Sequence, residues 1–221
     1  MKQTRTYQGK TVLSGKAGDL VFYVRRGVPY AKMASSNPGK SIMANPAREI
    51  FQARLRYLVS LYQALEGTRA RESWRTAPKR PGQTGYNAFV SRNYAAFDAE
   101  EAVADHARLA LAEGELRHPL GLRATAKEGG ELVLEWDTGD DRLMGARDDR
   151  PRLILMPDDG SYGIIARETL DARRGDGRAA VALAPEEGCP PFAYLFWESA
   201  DGRRFSPTLF LPAAWPEENG L

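Results

Sequence analysis

The chain has 221 residues, of which 43% are hydrophobic and 10% aromatic, a composition typical of one large or two small globular domains. Its apolar runs fall short of the roughly 18 to 20 residues that span a bilayer, and its first ten residues lack the apolar core of a secretory signal. The single cysteine, Cys189, cannot form an internal disulfide and suits a reducing compartment. We therefore expect a protein without a membrane partner, in the cytoplasm or in a particle assembled there.

The net charge of +2 is the sum of a basic N-terminal half and an acidic C-terminal half of the chain. Residues 1–97 carry 17 Lys plus Arg against 4 Asp plus Glu, a balance of +13, and residues 98–221 carry 14 against 25, a balance of −11. Like charges concentrated on one module repel one another unless a counter-charged surface compensates them. The asymmetry favours a module that binds a polyanion or docks on an acidic partner. The alternative is a solvated basic surface without a partner.

The chain begins with short β-strand patterns, in which β-branched and aromatic residues alternate with other side chains. These patterns cover residues 11–15, 20–26 and 28–33. The Arg26-Gly27 corner predicts that the last two strands form a hairpin, and Pro29, which cannot donate to a strand ladder, places the second of them at a sheet edge. Arg25 and Arg26 would then lie at the hairpin tip, presented to solvent or to a partner.

The segment ASSNPGKS, residues 34–41, matches a permissive form of the phosphate-binding P-loop signature. A working P-loop lies between a buried parallel strand and a helix that begins at the Lys-Ser pair. Here the preceding strand belongs to a hairpin, Pro38 removes an amide from the loop, and Asn45-Pro46 would end a following helix almost at once. We interpret the segment as an extended linker, in which Lys40 remains a candidate contact to a polyanion or an acidic partner.

Two helices are expected in the rest of the basic half. In residues 45–66 apolar side chains recur at three- and four-residue steps, with Asn45 as N-cap and Pro46 at the first helical position. Residues 75–85 contain two prolines and two glycines and predict a loop, and residues 86–97 predict a shorter helix. The apolar stripe of the first helix is more typical of a core or a helix-helix contact than of a cofactor site.

The acidic half is predicted to be an antiparallel β-sandwich of the immunoglobulin or fibronectin type III-like kind, because short strand patterns alternate regularly with polar turns. The patterns cover residues 131–136, 151–157, 161–167, 179–185, 192–199 and 206–212. Asp201-Gly202 predicts a tight corner between the last two strands. Trp136 and Tyr194 lie where such sandwiches keep a core Trp and a core Tyr.

The predicted fold class is therefore α+β. A basic β-hairpin and helices form the N-terminal half, and an antiparallel sandwich forms the C-terminal half. The expected domains are a basic hairpin and helical module over residues 1–97, an acidic linker or helix over residues 98–120, and an acidic β-sandwich over residues 121–221.

The sequence contains few residue patterns typical of catalytic or metal-binding sites. His106 and His118 are separated by 12 positions with no cysteine nearby, which is not a zinc-ligand spacing. Cys189 lies in a predicted turn without a histidine within sequence reach. The acidic pairs of the second half also fall in predicted turns, where solvated carboxylates are expected and a weak calcium site is the alternative. We therefore expect no catalytic residue, no metal and no cofactor, and interpret the protein as a non-enzyme.

The candidate binding residues are cations of the hairpin, the linker and the helical region, since Lys and Arg are the side chains that neutralise phosphates. Tyr23, Tyr30 or Trp74 would be free to stack on bases. The predicted polyanion- or partner-binding set is Arg25, Arg26, Lys32, Lys40, Arg48, Arg54, Arg56, Arg69, Arg71, Arg75, Lys79 and Arg80.

Several segments of the chain carry short motifs that recur together in other proteins. They are GKAGDLVFYVRRGVPYAKM, ANPAREIFQARLRYL with Asn45, Pro46, Gln52 and Arg56 in place, YNAFVSRNY, LVLEWD and FAYLFWESADGRRFSPTLFL. In these segments the chain resembles a family of uncharacterised bacterial and phage-associated proteins. The chain departs from the pattern by an insertion, SSNPGKSIMA, between the hairpin and the helix. The resemblance implies a basic Gly-rich hairpin, an Asn-Pro helix start and a C-terminal fibronectin III-like sandwich. It transfers no activity, and the family's occurrence beside phage-type genes implies a structural or assembly role.

Three functional hypotheses remain. The first is a structural or assembly protein of a phage-like, virion-like or other multi-subunit particle, whose basic module contacts nucleic acid or an acidic protein surface, including the acidic half of another copy in a homo-oligomer. The second is a nucleic-acid-binding protein without sequence preference that acts on its own. The third is a ligand- or protein-binding sandwich, for which exposed Trp197 or Trp215 would be the only indication.

Overall fold

A computed structural model describes residues 3–7, 10–25, 28–34, 46–98, 103, 105–127, 130–139, 145–156, 164–167, 170–182 and 192–211. It shows a mixed α+β protein that divides into two compact units, Met1–Asn45 and Pro46–Leu221, called here the N-terminal unit and the C-terminal unit. This division differs from the three segments expected at residues 1–97, 98–120 and 121–221. The difference arises because the helices share one hydrophobic core with the strands that follow them.

The N-terminal unit contains a four-stranded antiparallel sheet in the order β1-β2-β3-β4. Its strands are β1 Gln3–Tyr7, β2 Lys10–Ala17, β3 Leu20–Arg25 and β4 Val28–Met33. The expected hairpin is β3-β4, in which Arg25 pairs with Val28, and β4 lies at the sheet edge as the proline predicted. Ala17 pairs with Leu20, so the β2-β3 turn has only two central residues, and the first of them, Gly18, has a φ of 60° that favours glycine.

Three helices open the C-terminal unit. They are α1 Pro46–Ala64, α2 Arg69–Thr76 and α3 Gly85–Asn93, and a 3₁₀ turn, Tyr94–Ala96, continues α3. α1 begins at Pro46 as expected, and α3 with its 3₁₀ turn is the expected second helix. The short helix α2 was not expected from the sequence. Thr68 caps it, because its side-chain oxygen accepts a hydrogen bond from the backbone N–H of Arg71 at 3.2 Å.

Two antiparallel sheets follow. The first has the order β5-β6-β9, with β5 Arg123–Lys127, β6 Glu131–Glu135 and β9 Arg178–Ala182. The second has the order β11-β10-β7-β8, with β7 Arg150–Met156, β8 Ile165–Arg167, β10 Phe192–Glu198 and β11 Leu209–Leu211. All six predicted strand patterns contain an observed strand, and β5 is additional.

The four-stranded sheet of the C-terminal unit is buried on both faces. Along β10 the side chains of Ala193, Leu195 and Trp197 join a core with the three-stranded sheet, where the rings of Trp136 and Trp197 meet edge to face at 5.0 Å. Tyr194 and Phe196 point the other way and join the core formed with the helices. This unit therefore has three layers: the helices, the four-stranded sheet and the three-stranded sheet.

The segment 98–120, expected to be an acidic linker or helix, contains a 3₁₀ turn at His106–Arg108. Residues 109–112 are buried in the core shared with the helices. Asn93 holds them there: its amide accepts from the backbone N–H of Ala110 at 2.7 Å and donates to the carbonyl of Ala110 at 2.9 Å. Cys189, Trp215 and the P-loop-like segment beyond Ala34 lie outside the described residues.

Candidate polyanion-binding face

The strand register of the N-terminal unit sorts its side chains onto two unlike faces. Cross-strand partners point to the same side of an antiparallel sheet and successive residues alternate, so each cross-strand pair assigns two residues to one face. One side, called here the cationic face, carries Lys16, Val21, Tyr23, Arg25, Val28, Tyr30 and Lys32. The other, called here the apolar face, carries Ala17, Leu20, Phe22, Val24, Pro29, Ala31 and Met33.

An aromatic pair occupies the centre of the cationic face. Tyr23 and Tyr30 are direct cross-strand partners, and their rings stack with centroids 5.6 Å apart and an interplanar angle of 19°. Both residues remain exposed, by 38% and 46% respectively. The Nζ atom of Lys32 lies 5.9 Å from the centre of the Tyr23 ring, within the range of a cation-π contact.

Cations lie on two sides of this aromatic pair. Lys16 and Lys32 both lie across from Val21, which places their Cα atoms about 10 Å apart, twice the spacing between neighbouring strands. Arg25 lies four residues further along β3, about 13 Å from Val21. All three cations are exposed. Lys16 was missing from the predicted set, although the two-residue turn at Gly18 is the local signal that places it on this face.

The twelve predicted binding residues have different surroundings in the structure. Arg26 and Lys40 lie outside the described residues. The exposed members on the described part of the chain are Arg25, Lys32, Arg48, Arg56, Arg75 and Arg80. The guanidinium of Arg54 packs over the Tyr94 ring at 5.4 Å, within the C-terminal unit.

Three predicted residues make contacts inside the C-terminal unit. Arg69 pairs with the buried carboxylate of Glu198 on β10 and also donates to the carbonyl of Gly202 at 2.7 Å. Arg71 donates to the carbonyl of Tyr62 at 2.8 Å and covers the ring of that tyrosine. Lys79 donates to three carbonyls at the C-terminal end of α2, those of Trp74, Arg75 and Ala77. Their charges therefore contribute to the fold.

Trp74 does not offer a ring for base stacking. It is buried in the core, edge to face with Phe89 at 5.4 Å, and its indole N–H donates to the carbonyl of Leu111 at 2.8 Å. Trp197 is buried as well, in the core between the two sheets of the C-terminal unit. The expectation that Trp74 could stack on bases is therefore wrong, because the helices fold this side chain inward.

A buried ionic network joins α2 to the four-stranded sheet of the C-terminal unit. Glu198 is 4% exposed and accepts hydrogen bonds from two arginines. Nε of Arg152 donates to its Oε2 at 2.7 Å, and Nε of Arg69 donates to its Oε1 at 2.8 Å. These pairings connect positions that are far apart in sequence, so charge counting along the chain did not reveal them.

A second buried cluster surrounds Arg174. Its guanidinium lies 3.5 Å from the carboxylate of Asp149 and 4.7 Å from the centre of the Trp197 ring. Burial raises the pKa of Asp149 and lowers the pKa of Arg174, and each partner's charge opposes the shift of the other. The pKa of His118 is lowered by burial and by the charge of Arg174. These groups tie loops together within the packed interior.

A cavity of about 420 Å³ opens beside the ionic network. It is lined by Arg150, Arg152, Leu170, Asp171, Ala172, Arg173 and Asp176. Two of its three lining cations pair with carboxylates: Arg152 with Glu198, and Arg173 with Asp148 at 2.8 Å. The cavity therefore presents mixed charge, unlike the cationic face.

The described part of the chain contains no cluster of three or more His, Cys, Asp or Glu side chains that is arranged to hold a metal ion. None of its described helices combines the length and the apolar character needed to cross a membrane.

No family model, no curated protein and no solved structure matches this chain. The resemblance to the phage-associated family therefore stays a prediction.

Proposed function

We propose that this protein is a non-enzymatic structural or assembly protein of a multi-subunit particle, and that its N-terminal sheet binds a polyanionic partner. The observation that carries the proposal is the cationic face, where three exposed cations surround an exposed, stacked tyrosine pair. The N-terminal unit carries 8 Lys plus Arg against 1 Asp, a balance of +7. Such a charge density attracts phosphate or carboxylate polymers and speeds their association.

The C-terminal unit serves as the scaffold in this proposal. We infer that its two sheets form a fibronectin III-like sandwich, since both are antiparallel, both contribute to one core, and Trp136 and Trp197 pack at its centre. Two buried titratable side chains with shifted pKa values, Asp149 and Arg174, pair with each other inside this scaffold. This arrangement favours a structural role for them over a catalytic one.

Polyanion binding is tested by fluorescence polarisation with labelled single-stranded DNA, duplex DNA, heparin and polyglutamate across a salt series. We expect binding at about 50 mM salt that weakens steeply as salt rises. The variant K16A/R25A/K32A should make the slope of log affinity against log salt shallower, by about 0.7 per lost contact for single strands and about 0.9 for duplex. The matched control R117A/R178A/R203A removes three exposed arginines of the C-terminal unit. Absence of binding to every probe, or equal losses in both triple variants, would overturn the proposal.

A second candidate function is head-to-tail self-assembly. The two structural units also differ in the sign of their charge, because the C-terminal unit carries 23 Lys plus Arg against 28 Asp plus Glu, a balance of −5 beside the +7 of the N-terminal unit. Complementary units on one chain allow open or ring-shaped assembly between copies. Light scattering across a salt series tests this: oligomers at low salt that dissociate at high salt support it, and a monomer at low salt rules it out.

A further inference from the structure

We propose that the polyanion bound by the cationic face is a single-stranded nucleic acid, with bases stacked on Tyr23 and Tyr30 and phosphates contacted by Lys16, Arg25 and Lys32. This inference rests on the proposed polyanion-binding function and names its partner. The recognised chemistry is a flexible chain of phosphates with unpaired bases, in either DNA or RNA.

The tyrosine pair is the feature that separates a single strand from other polyanions. Phosphates and carboxylates need only cations, whereas Tyr23 and Tyr30 add two apolar rings at the centre of the charged surface. Unpaired bases stack on exposed aromatic rings whatever their sequence, and each stacked base contributes substantially to affinity. In a duplex the bases are already stacked on one another and are presented only through the grooves. A flat sheet face that offers rings therefore fits a single strand best.

The spacing of the cations agrees with a chain that runs along β3. Lys16 and Lys32 lie about 10 Å apart on one side of the rings, and Arg25 lies beyond the rings on the other side. A single-stranded chain laid parallel to β3 over the Tyr23-Tyr30 pair would thus meet a cation both before and after its stacked bases. The described positions of the apolar face carry no charge, so the strand would follow one face only.

An acidic protein surface fits this face less well. Carboxylates would pair with the three cations, but they would leave two exposed tyrosine rings without a matching contact. The position of Lys32 over the Tyr23 ring also keeps its charge beside the aromatic surface, where a phosphate next to a stacked base would lie.

The test compares the full chain with three double variants in fluorescence polarisation. The probes are single-stranded DNA and RNA of about 12 nucleotides, within the range of roughly 4 to 16 that such platforms cover, together with a matched duplex, heparin and polyglutamate. Y23L/Y30L removes the rings, Y23F/Y30F keeps them, and L20T/M33T changes the apolar face of the same two strands. Circular dichroism establishes that each variant is folded before binding is measured.

We expect the single strands to bind more tightly than the duplex. Each stacked base contributes about 5-fold to 150-fold, so replacing both rings with leucine should weaken single-strand binding by at least about 5-fold, with the salt slope unchanged. The phenylalanine variant should bind as the unaltered protein does, and so should L20T/M33T. Retention of single-strand affinity in Y23L/Y30L, or equal affinity for duplex and single strand, would overturn this inference and leave polyanion binding standing.

The remaining outcomes separate this inference from the function on which it rests. Binding to heparin or polyglutamate but not to either single strand overturns the inference alone. Failure of every probe to bind overturns the proposed function as well. If Y23L/Y30L fails to fold, Y23F/Y30F and the comparison of single strand with duplex still decide, because a duplex bound as well as a single strand refutes the inference without any variant.

Discussion

Replacing Glu198 with glutamine should destabilise the C-terminal unit by about 3 kcal/mol, because removal of one partner from a buried ion pair leaves the other charge uncompensated. Glu198 is almost inaccessible to solvent and is shared by two guanidinium groups, from Arg152 on β7 and Arg69 on α2. The substitution preserves the size of the side chain and removes its charge. The ion pair between Arg69 on α2 and Glu198 on β10 would be lost.

The size of the loss depends on how well water can solvate each arginine once the charge of Glu198 is removed. Loss of a buried partner typically costs about 3 to 5 kcal/mol. The side chain of Arg152 is 13% exposed and recovers little, whereas that of Arg69 is 31% exposed and can be partly hydrated. The lower end of the range is therefore expected. For a unit of this size, about 3 kcal/mol corresponds to a fall in Tm of roughly 6 to 12 °C.

Urea unfolding followed by tryptophan fluorescence measures the effect, and Glu135→Gln is the matched control at an exposed position on β6. The control should change the free energy of unfolding by less than about 0.5 kcal/mol. An apolar triple replacement, R69M/R152M/E198L, should recover much of the loss, since it removes all three charges of the buried network, and Glu72, which also lies 3.7 Å from Arg69, is solvated. A Glu198→Gln variant as stable as the Glu135→Gln control would refute the reasoning.

Three further predictions concern the C-terminal unit. Because the pKa of His118 is lowered in the folded state, the unfolded chain takes up a proton first as the pH falls. The contribution of neutral His118 to stability should be fully present above about pH 6.5 and be lost as the pH falls from there through the folded-state pKa. His118→Gln should flatten this pH dependence of the free energy of unfolding, measured by urea unfolding at several pH values. Gly114→Ala should lower the free energy of unfolding by about 1 to 3 kcal/mol through overpacking, because its Cβ would meet the Phe205 carbonyl oxygen at 2.0 Å. Thermal melts measure the effect, and the control Gly139→Ala, which has open space around it, should be near neutral. Thr68→Ala should cost about 1 kcal/mol through loss of the α2 cap, and a Tm equal to that of the unaltered protein would contradict this.

Local sequence signals predicted most of the elements and their bounds. The hairpin β3-β4, the start of α1 at Pro46 and the strand β10 all follow from turns, caps and apolar patterns within about ten residues. The helix α2 was missed because it has only eight residues and half of them are charged, so its apolar periodicity is weak. Its signal was the capping residue Thr68.

The layering of the C-terminal unit was harder to predict. A two-layer sandwich should show alternating apolar and polar side chains on strands with one solvated face. Residues 192–197 instead form an unbroken apolar run, which indicates burial on both faces of the strand. In the structure the three-stranded sheet covers one face and the helices cover the other. The sequence pattern thus contained the signal for a third layer, but it did not say which segment supplies it.

The charge count predicted a basic module but could not assign its members. Arg69 and Arg152 pair with Glu198 over sequence separations of 129 and 46 residues, which no local pattern reveals. Arg69 was therefore counted among the candidate binding residues although its charge stabilises the fold. Lys16 was also overlooked, although the two-residue turn at Gly18 fixes the register of β2 against β3 that places it beside Val21.

The binding proposed for the N-terminal sheet also depends on its strand register. A shift of one residue in β4 against β3 would move Tyr30 and Lys32 to the apolar face and leave Tyr23 without its aromatic partner. The same composition and the same net charge would then present no aromatic platform. The proposed affinity for single strands therefore depends on the pairing of Tyr23 with Tyr30, and the charge of the N-terminal unit alone predicts only a salt-sensitive attraction to any polyanion.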